Sequence, residues 1–217
     1  MAITLDSTNS GGGSGGSSRT VSLTVGSGIN RLLIVQVVNW GLSRTVSTVT
    51  FNSVSCVKAV SISNSTNNSN VEIWYLVNPD IGTHDCLVTL DGIDDGLNVS
   101  VTSVFGAKQS SQPDAVVSDQ GLAAVNGVTT SITTVADNCW IFDAFSDGSA
   151  GMSEGTNQIV NLNFDGATSM GSYKPDVATG SNSMAWTWTG TENWAHAVAS
   201  FSPPSNSISR MMLMGCS

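Results

Sequence analysis

A chain of 217 residues that is 40% hydrophobic and only 11% charged can bury a substantial core, and its solubility must come from Ser, Thr, Asn and Gly rather than from Lys and Glu. The formal charge of −9, with seven basic residues scattered from Arg19 to Arg210, offers no basic patch and argues against a nucleic-acid partner. No apolar run has the length of a membrane-spanning helix, which predicts no membrane partner, and the opening MAITLDST has neither the charged region nor the apolar core of a signal peptide, which predicts synthesis in a cytoplasm.

In chain order, residues 2–6 predict a short first strand, and the run NSGGGSGGSS at 9–18 predicts a flexible Gly/Ser-rich arm, so that 1–18 stand apart from the body. Alternating apolar and polar residues predict strands at 20–25, 46–51 and 54–62, and the apolar run RLLIVQVVNW at 31–40 predicts a central strand. The polar stretch 63–70 reads as a loop. Strands at 71–77, 84–90 and 97–105 follow, separated by the turn signals Asn78-Pro79, Asp91-Gly92 and Asp94-Asp95-Gly96. Residues 108–127, with Pro113, read as a long polar connection that crosses from one sheet to the other.

Strands at 129–134, 138–145, 158–164 and 169–174 lead to 183–201, SMAWTWTGTENWAHAVASF. Its two alternating runs around a Gly-Thr-Glu-Asn turn predict a closing β-hairpin that pairs large aromatics with small residues. About a dozen short strands and no sustained helical period predict an all-β fold, an antiparallel β-sandwich of jelly-roll type. The sandwich domain covers 19–203, and 204–217 form an apolar tail.

The sequence supplies no catalytic set, no cofactor site and no metal site. Gly151-Met152-Ser153-Glu154-Gly155 satisfies the nucleophile-elbow pattern and is followed by Asp165 or Asp176 and by His196. An elbow needs a strand before the serine and a helix after it, whereas these flanks read as a loop and a strand, so the match is read as chance. His84 and His196 lie in strands and read as structural. Asp91, Asp94, Asp95, Asp143 and Asp147 could offer oxygens to calcium, but D-G-I-D-D-G is not the calcium-loop spacing and Asp before Gly is ordinary turn chemistry.

Cys56, Cys86, Cys139 and Cys216 have no C-x-x-C spacing, which argues against zinc and predicts buried thiols, with a Cys56–Cys86 bridge as the alternative. Trp40, Trp74 and Trp140 read as core. Trp186, Trp188 and Trp194 also read as core, with stacking on a sugar ring as their alternative role. Met211, Met212, Leu213 and Met214 form an apolar run outside the sandwich that predicts docking on its own domain or on a neighbouring subunit.

The order of RLLIVQVV, VTFNSVSCVKAVS, VEIWYLVNPDIGTHDCLVTLDG and the M-x-W-x-W turn into WAHAVASF resembles a β-sandwich domain of predicted phage structural proteins and bacterial surface proteins, over roughly residues 19–203. The resemblance implies a non-enzymatic structural protein of a bacteriophage virion, a capsid decoration or fibre-like subunit. Such a subunit would be homo-oligomeric and would contact other virion proteins such as a capsid shell, with arm and tail as attachment devices. The alternative is a lectin-like module that binds a glycan through Trp186, Trp188 or Trp194.

Overall fold

The computed structural model describes all residues except 42–43, 67, 122–125, 148–150, 165–167 and 206–217. Among the described residues, sixteen strands form three antiparallel sheets in an all-β sandwich. The first sheet holds β1 (Thr4–Gly11), β2 (Ser14–Val25), β3 (Leu32–Trp40), β4 (Val46–Phe51), β5 (Val54–Ser55), β6 (Val57–Asn64), β7 (Ser69–Val77) and β8 (Gly82–Phe105). The second orders β13 (Ile159–Phe164), β14 (Ser169–Val177), β11 (Cys139–Asp147), β16 (Trp194–Phe201) and β9 (Ala115–Gly121). The third orders β10 (Gly127–Thr134), β15 (Gly180–Thr187) and β12 (Ser153–Glu154).

The first sheet is folded over on itself. The chain from Thr4 to Val25 runs antiparallel along the whole of β8, from Thr4 opposite Phe105, through Ser14 opposite Gly96, to Val25 opposite Gly82. On the other side of β8, β3 pairs with its second half and β4 with its first, from Leu32 opposite Val104 to Phe51 opposite Cys86. Two segments therefore pass side by side through one corner, at about residues 11–17 and 91–96, and β3 ends and β4 begins beside them, at Trp40 opposite Gly96 and Val46 opposite Leu90. Inward side chains of β2, β4 and the first half of β8, among them Leu23, Phe51 and Val88, close over Leu33, Val35 and Val37 of β3.

The result is four layers. The opposite face of β3, with Leu32, Ile34 and Val38, packs on Phe142, Ala144, Tyr173 and Phe201 of the second sheet. That sheet's far face is covered by the third, through Ile132, Met184 and Trp186, and by Trp188 just beyond β15. Every residue of β11 and β16 is therefore buried, and in β3 all but Trp40, because both faces of these strands meet another layer.

Four expectations need correction. Residues 9–18 are not a free arm but the corner of a paired strand. Glycine is required there for a bend and a close approach: Gly15 has φ +71°, and a Cβ on Gly12 would overlap Asn98 Oδ1 and lie 2.8 Å from the Phe164 ring. The turns read at 91–96 are instead the bend of the continuous strand β8. Residues 108–127 do lead from the first sheet to the second, but they contain β9, which pairs with β16. The closing segment is not a hairpin, since β15 pairs with β10 and β12 while β16 pairs with β11 and β9. Residues 188–193 carry the chain from the third sheet to the second, so the tryptophans meet across a layer gap rather than across a strand pair.

Gly12→Ala should lower the unfolding free energy by about 1–3 kcal/mol, the range for overpacking a filled site. The difference in urea midpoint between the two chains checks this. An unchanged midpoint would restore the flexible-arm reading.

Candidate functional site

The residues with the most chemistry converge between the second and third sheets. β11 alternates Trp140, Phe142 and Ala144 toward the first sheet with Ile141, Asp143 and Phe145 toward the third. Asp143 is thus a carboxylate on the buried face of a central strand. Its Oδ1 accepts from Ser172 N (2.7 Å) and Ser172 Oγ (2.7 Å), and its Oδ2 from Trp186 Nε1 (2.8 Å). His196 Nε2 lies 3.0 Å from Oδ2, and His196 Nδ1 lies 2.8 Å from Thr130 Oγ1. A carboxylate can only accept, which assigns a proton to Nε2, and Nδ1 shares a hydrogen bond with the Thr130 hydroxyl, which can donate or accept.

The series hydroxyl, imidazole, carboxylate has the composition of an activated nucleophile. All three members are buried, however, with Thr130 the most accessible at 3%. The chain works as a clasp between β10 of the outer layer and β11 and β16 of the next. Gln36 adds a second clasp. Its Nε2 donates to the backbone carbonyls of Asp143 and Ser172, and its Oε1 accepts from Asn161 Nδ2 at 2.7 Å. Gln158 bonds Ser172 Oγ (2.9 Å) and takes the Ala185 amide (2.7 Å).

A second buried network occupies the corner of the first sheet. Asn39 Nδ2 donates to Asp94 Oδ2 (2.6 Å) and to Arg44 O (2.8 Å), and Asn70 Nδ2 bridges Asn39 Oδ1 (3.1 Å) and Glu72 Oε1 (2.7 Å). Glu72 also accepts from Trp74 Nε1 (2.8 Å) and pairs with Lys58 (2.8 Å), whose ammonium lies over the Trp74 ring.

The elbow pattern does not assemble. Ser153 lies in β12 opposite Thr187, and both ring nitrogens of His196 are committed to Asp143 and Thr130. Asp176 accepts from Trp140 Nε1 at 3.4 Å, and Asp165 lies outside the described residues. His84 Nε2 is 3.1 Å from Ile81 O, and its ring meets Phe51 edge-on. Of the aspartates considered for calcium, Asp91 accepts from Thr45 N and Oγ1, and Asp94 from Asn39. No group of three or more His, Cys, Asp or Glu placed to hold a metal ion occurs among the described residues.

Trp186, Trp188 and Trp194 are 0%, 5% and 7% exposed and pack around Phe145, with ring centroids 5.9, 5.5 and 6.3 Å away. A ring that stacks on a sugar needs an open face, and these faces are turned to Phe145 and to the layer gap. Met211, Met212, Leu213, Met214 and Cys216 lie outside the described residues. Comparison with protein-family models, with curated proteins and with solved structures finds no match to the chain.

Cys56, Cys86 and Cys139 are unpaired and buried. Cys86 is paired with Phe51 on one side of β4, and Cys56 N bonds Val49 O on the other. Two strand spacings of about 4.8 Å hold the thiols beyond the Cα separation of about 7 Å that a disulfide tolerates. Burial pushes the Cys56 thiol up from 9.0 to about 12, and it raises Cys86 further, with Cys56 nearby as a lesser cause. Cys139 also rises to about 12, through burial first and then Asp114.

Two outcomes follow. Asp143→Ala leaves buried Trp186, Ser172 and His196 donors without their acceptor and should cost about 3–5 kcal/mol in denaturant unfolding. A thiol whose folded pKa is raised contributes stability that is complete below pH 9 and lost as pH rises toward 12, because the unfolded thiol ionises first. Unfolding free energy should therefore fall above pH 9, and Cys86→Ala should make that fall shallower by up to about 1.4 kcal/mol per pH unit, read from urea titrations at several pH values.

Proposed function

We propose that this chain is a non-enzymatic structural subunit of a bacteriophage particle, a capsid decoration or fibre-like component. The observation that carries the reading is the use made of its ionisable groups. Asp143, His196, Glu72 and Asp94 are all sealed in hydrogen-bond networks that tie one layer or one bend to the next. Residues of catalytic type thus serve cohesion, as suits a component whose task is to hold shape.

The hydroxyl-rich outer faces support the same reading, as does the strand order that resembles phage structural sandwiches. Because residues 4–25 are paired along β8, attachment falls to the segment 204–217, whose Met211, Met212, Leu213 and Met214 would meet a sister subunit or a shell protein. Light scattering after size exclusion should give a defined oligomer for the full chain and a monomer for a version ending at Pro204. An oligomer unchanged by the truncation would remove the segment from assembly, and absence of the protein from purified particles of its source would end the virion reading.

A further inference from the structure

The outermost layer presents a face to solvent that none of these roles uses. Its inward residues fill the folded sheet, so its outward residues, every second one along each strand, form rungs across β2, β8 and β4. Ser18, Thr89 and Thr48 make one rung, and Thr20, Leu87 and Thr50 the next. Ser22 and Asp85 make a third, closed by Asn52, whose amide donates to Asp85 O at 3.1 Å. Thr24 and Thr83 follow, with hydroxyls 2.7 Å apart.

The face is hollowed rather than flat. The turn after β4 takes left-handed backbone at Asn52 (φ +47°) and Ser53 (φ +65°). Asn52 Nδ2 donates to Asp80 Oδ2 at 2.8 Å, which joins that turn to the connection between β7 and β8 as a rim. Beside it lies a groove of ≈ 450 Å³ lined by Thr20, Thr50, Ser53, Thr83, Asp85 and Leu87, among others.

We propose that this groove binds a neutral pyranose sugar. The Asp85 carboxylate is exposed and has no hydrogen-bond or ion-pair partner among the described residues, and a carboxylate accepts two hydroxyl donors in bonds about twice as strong as neutral ones. The threonine and serine hydroxyls around it both donate and accept, as the hydroxyls of a sugar do. Leu87, 39% exposed between Thr20 and Thr50, gives the C–H face of the ring an apolar seat. An anionic ligand is opposed by Asp85 and by the net charge of −9, and an apolar ligand would desolvate the hydroxyls without replacing their bonds.

The test is a titration of the ¹⁵N-labelled full chain with the methyl glycosides of glucose, galactose, mannose and N-acetylglucosamine, with sialic acid and calcium as separate arms. Saturable shifts at the amides of residues 20, 50, 83, 85 and 87 are expected with at least one neutral glycoside and not with sialic acid. Asp85→Ala, on an exposed site that leaves the rest of the spectrum in place, should weaken that binding about tenfold or more. The proposal is overturned if no neutral glycoside moves these amides at tens of millimolar. It is equally overturned if shifts gather elsewhere, if calcium or sialic acid alone produces them, or if Asp85→Ala binds as tightly as the parent chain.

Discussion

A buried sheet that bends must satisfy, within a few residues, the backbone groups that its ladder no longer pairs, and the fold rests on how adjacent strands do this at one corner. Thr45 and Asp91 exchange a backbone bond (Asp91 N to Thr45 O, 3.1 Å) and two bonds to the Asp91 carboxylate. Leu97 N reaches Gly13 O at 3.0 Å, and Arg19 Nη2 reaches the same carbonyl at 2.9 Å. Asn39, Asn70, Glu72 and Asp94 fill the inside of the bend with paired polar groups. Without the corner, β2, β4 and the first half of β8 would not lie over β3, and the core containing Leu33, Val35, Val37 and Phe51 would open to water.

The second constraint is the layer count. A strand buried on both faces has no solvent side for a polar residue, so each polar residue it carries must find partners inside. Gln36 on β3 and Asp143 on β11 do so by bonding across layer gaps, and Phe145 places one ring against three tryptophans and the edge of His196. Directional bonds between layers that otherwise meet through non-directional contact fix their relative register.

These interior networks and the outer faces divide the work between them. Glu72, Asp94, Asp143 and Asp147 are buried, while the outward rungs of β2 and β8 are mostly hydroxyls, and so are those of β10 and β15, where Ser131 faces Ser183 and Thr133 faces Ser181. A surface that is solvated by hydroxyls suits repeated contact with neutral hydrogen-bonding partners, and its attractions depend little on salt.

Period-two alternation made most strands legible in the sequence, because a strand with one buried face must alternate whatever its neighbours do. The runs at 20–25, 46–51, 71–77 and 129–134 all lie within strands. The apolar run RLLIVQVVNW also announced a central strand, whereas WIFDAF was legible only as a strand, and the lone Gln or Asp within each was the available sign of a buried network. What the sequence could not determine was which strands pair and where a strand bends. Gly-rich composition at 9–18 is equally compatible with a loose linker and with a corner, since glycine permits both, and only β8 lying alongside decides between them. The same holds for 183–201, where alternation predicts two strands correctly, but the assignment of β15 and β16 to different sheets depends on partners distant in the chain. Local chemistry determined the elements; long-range burial decided their layers, because apolar faces are non-directional and take whichever partner the whole fold brings to them.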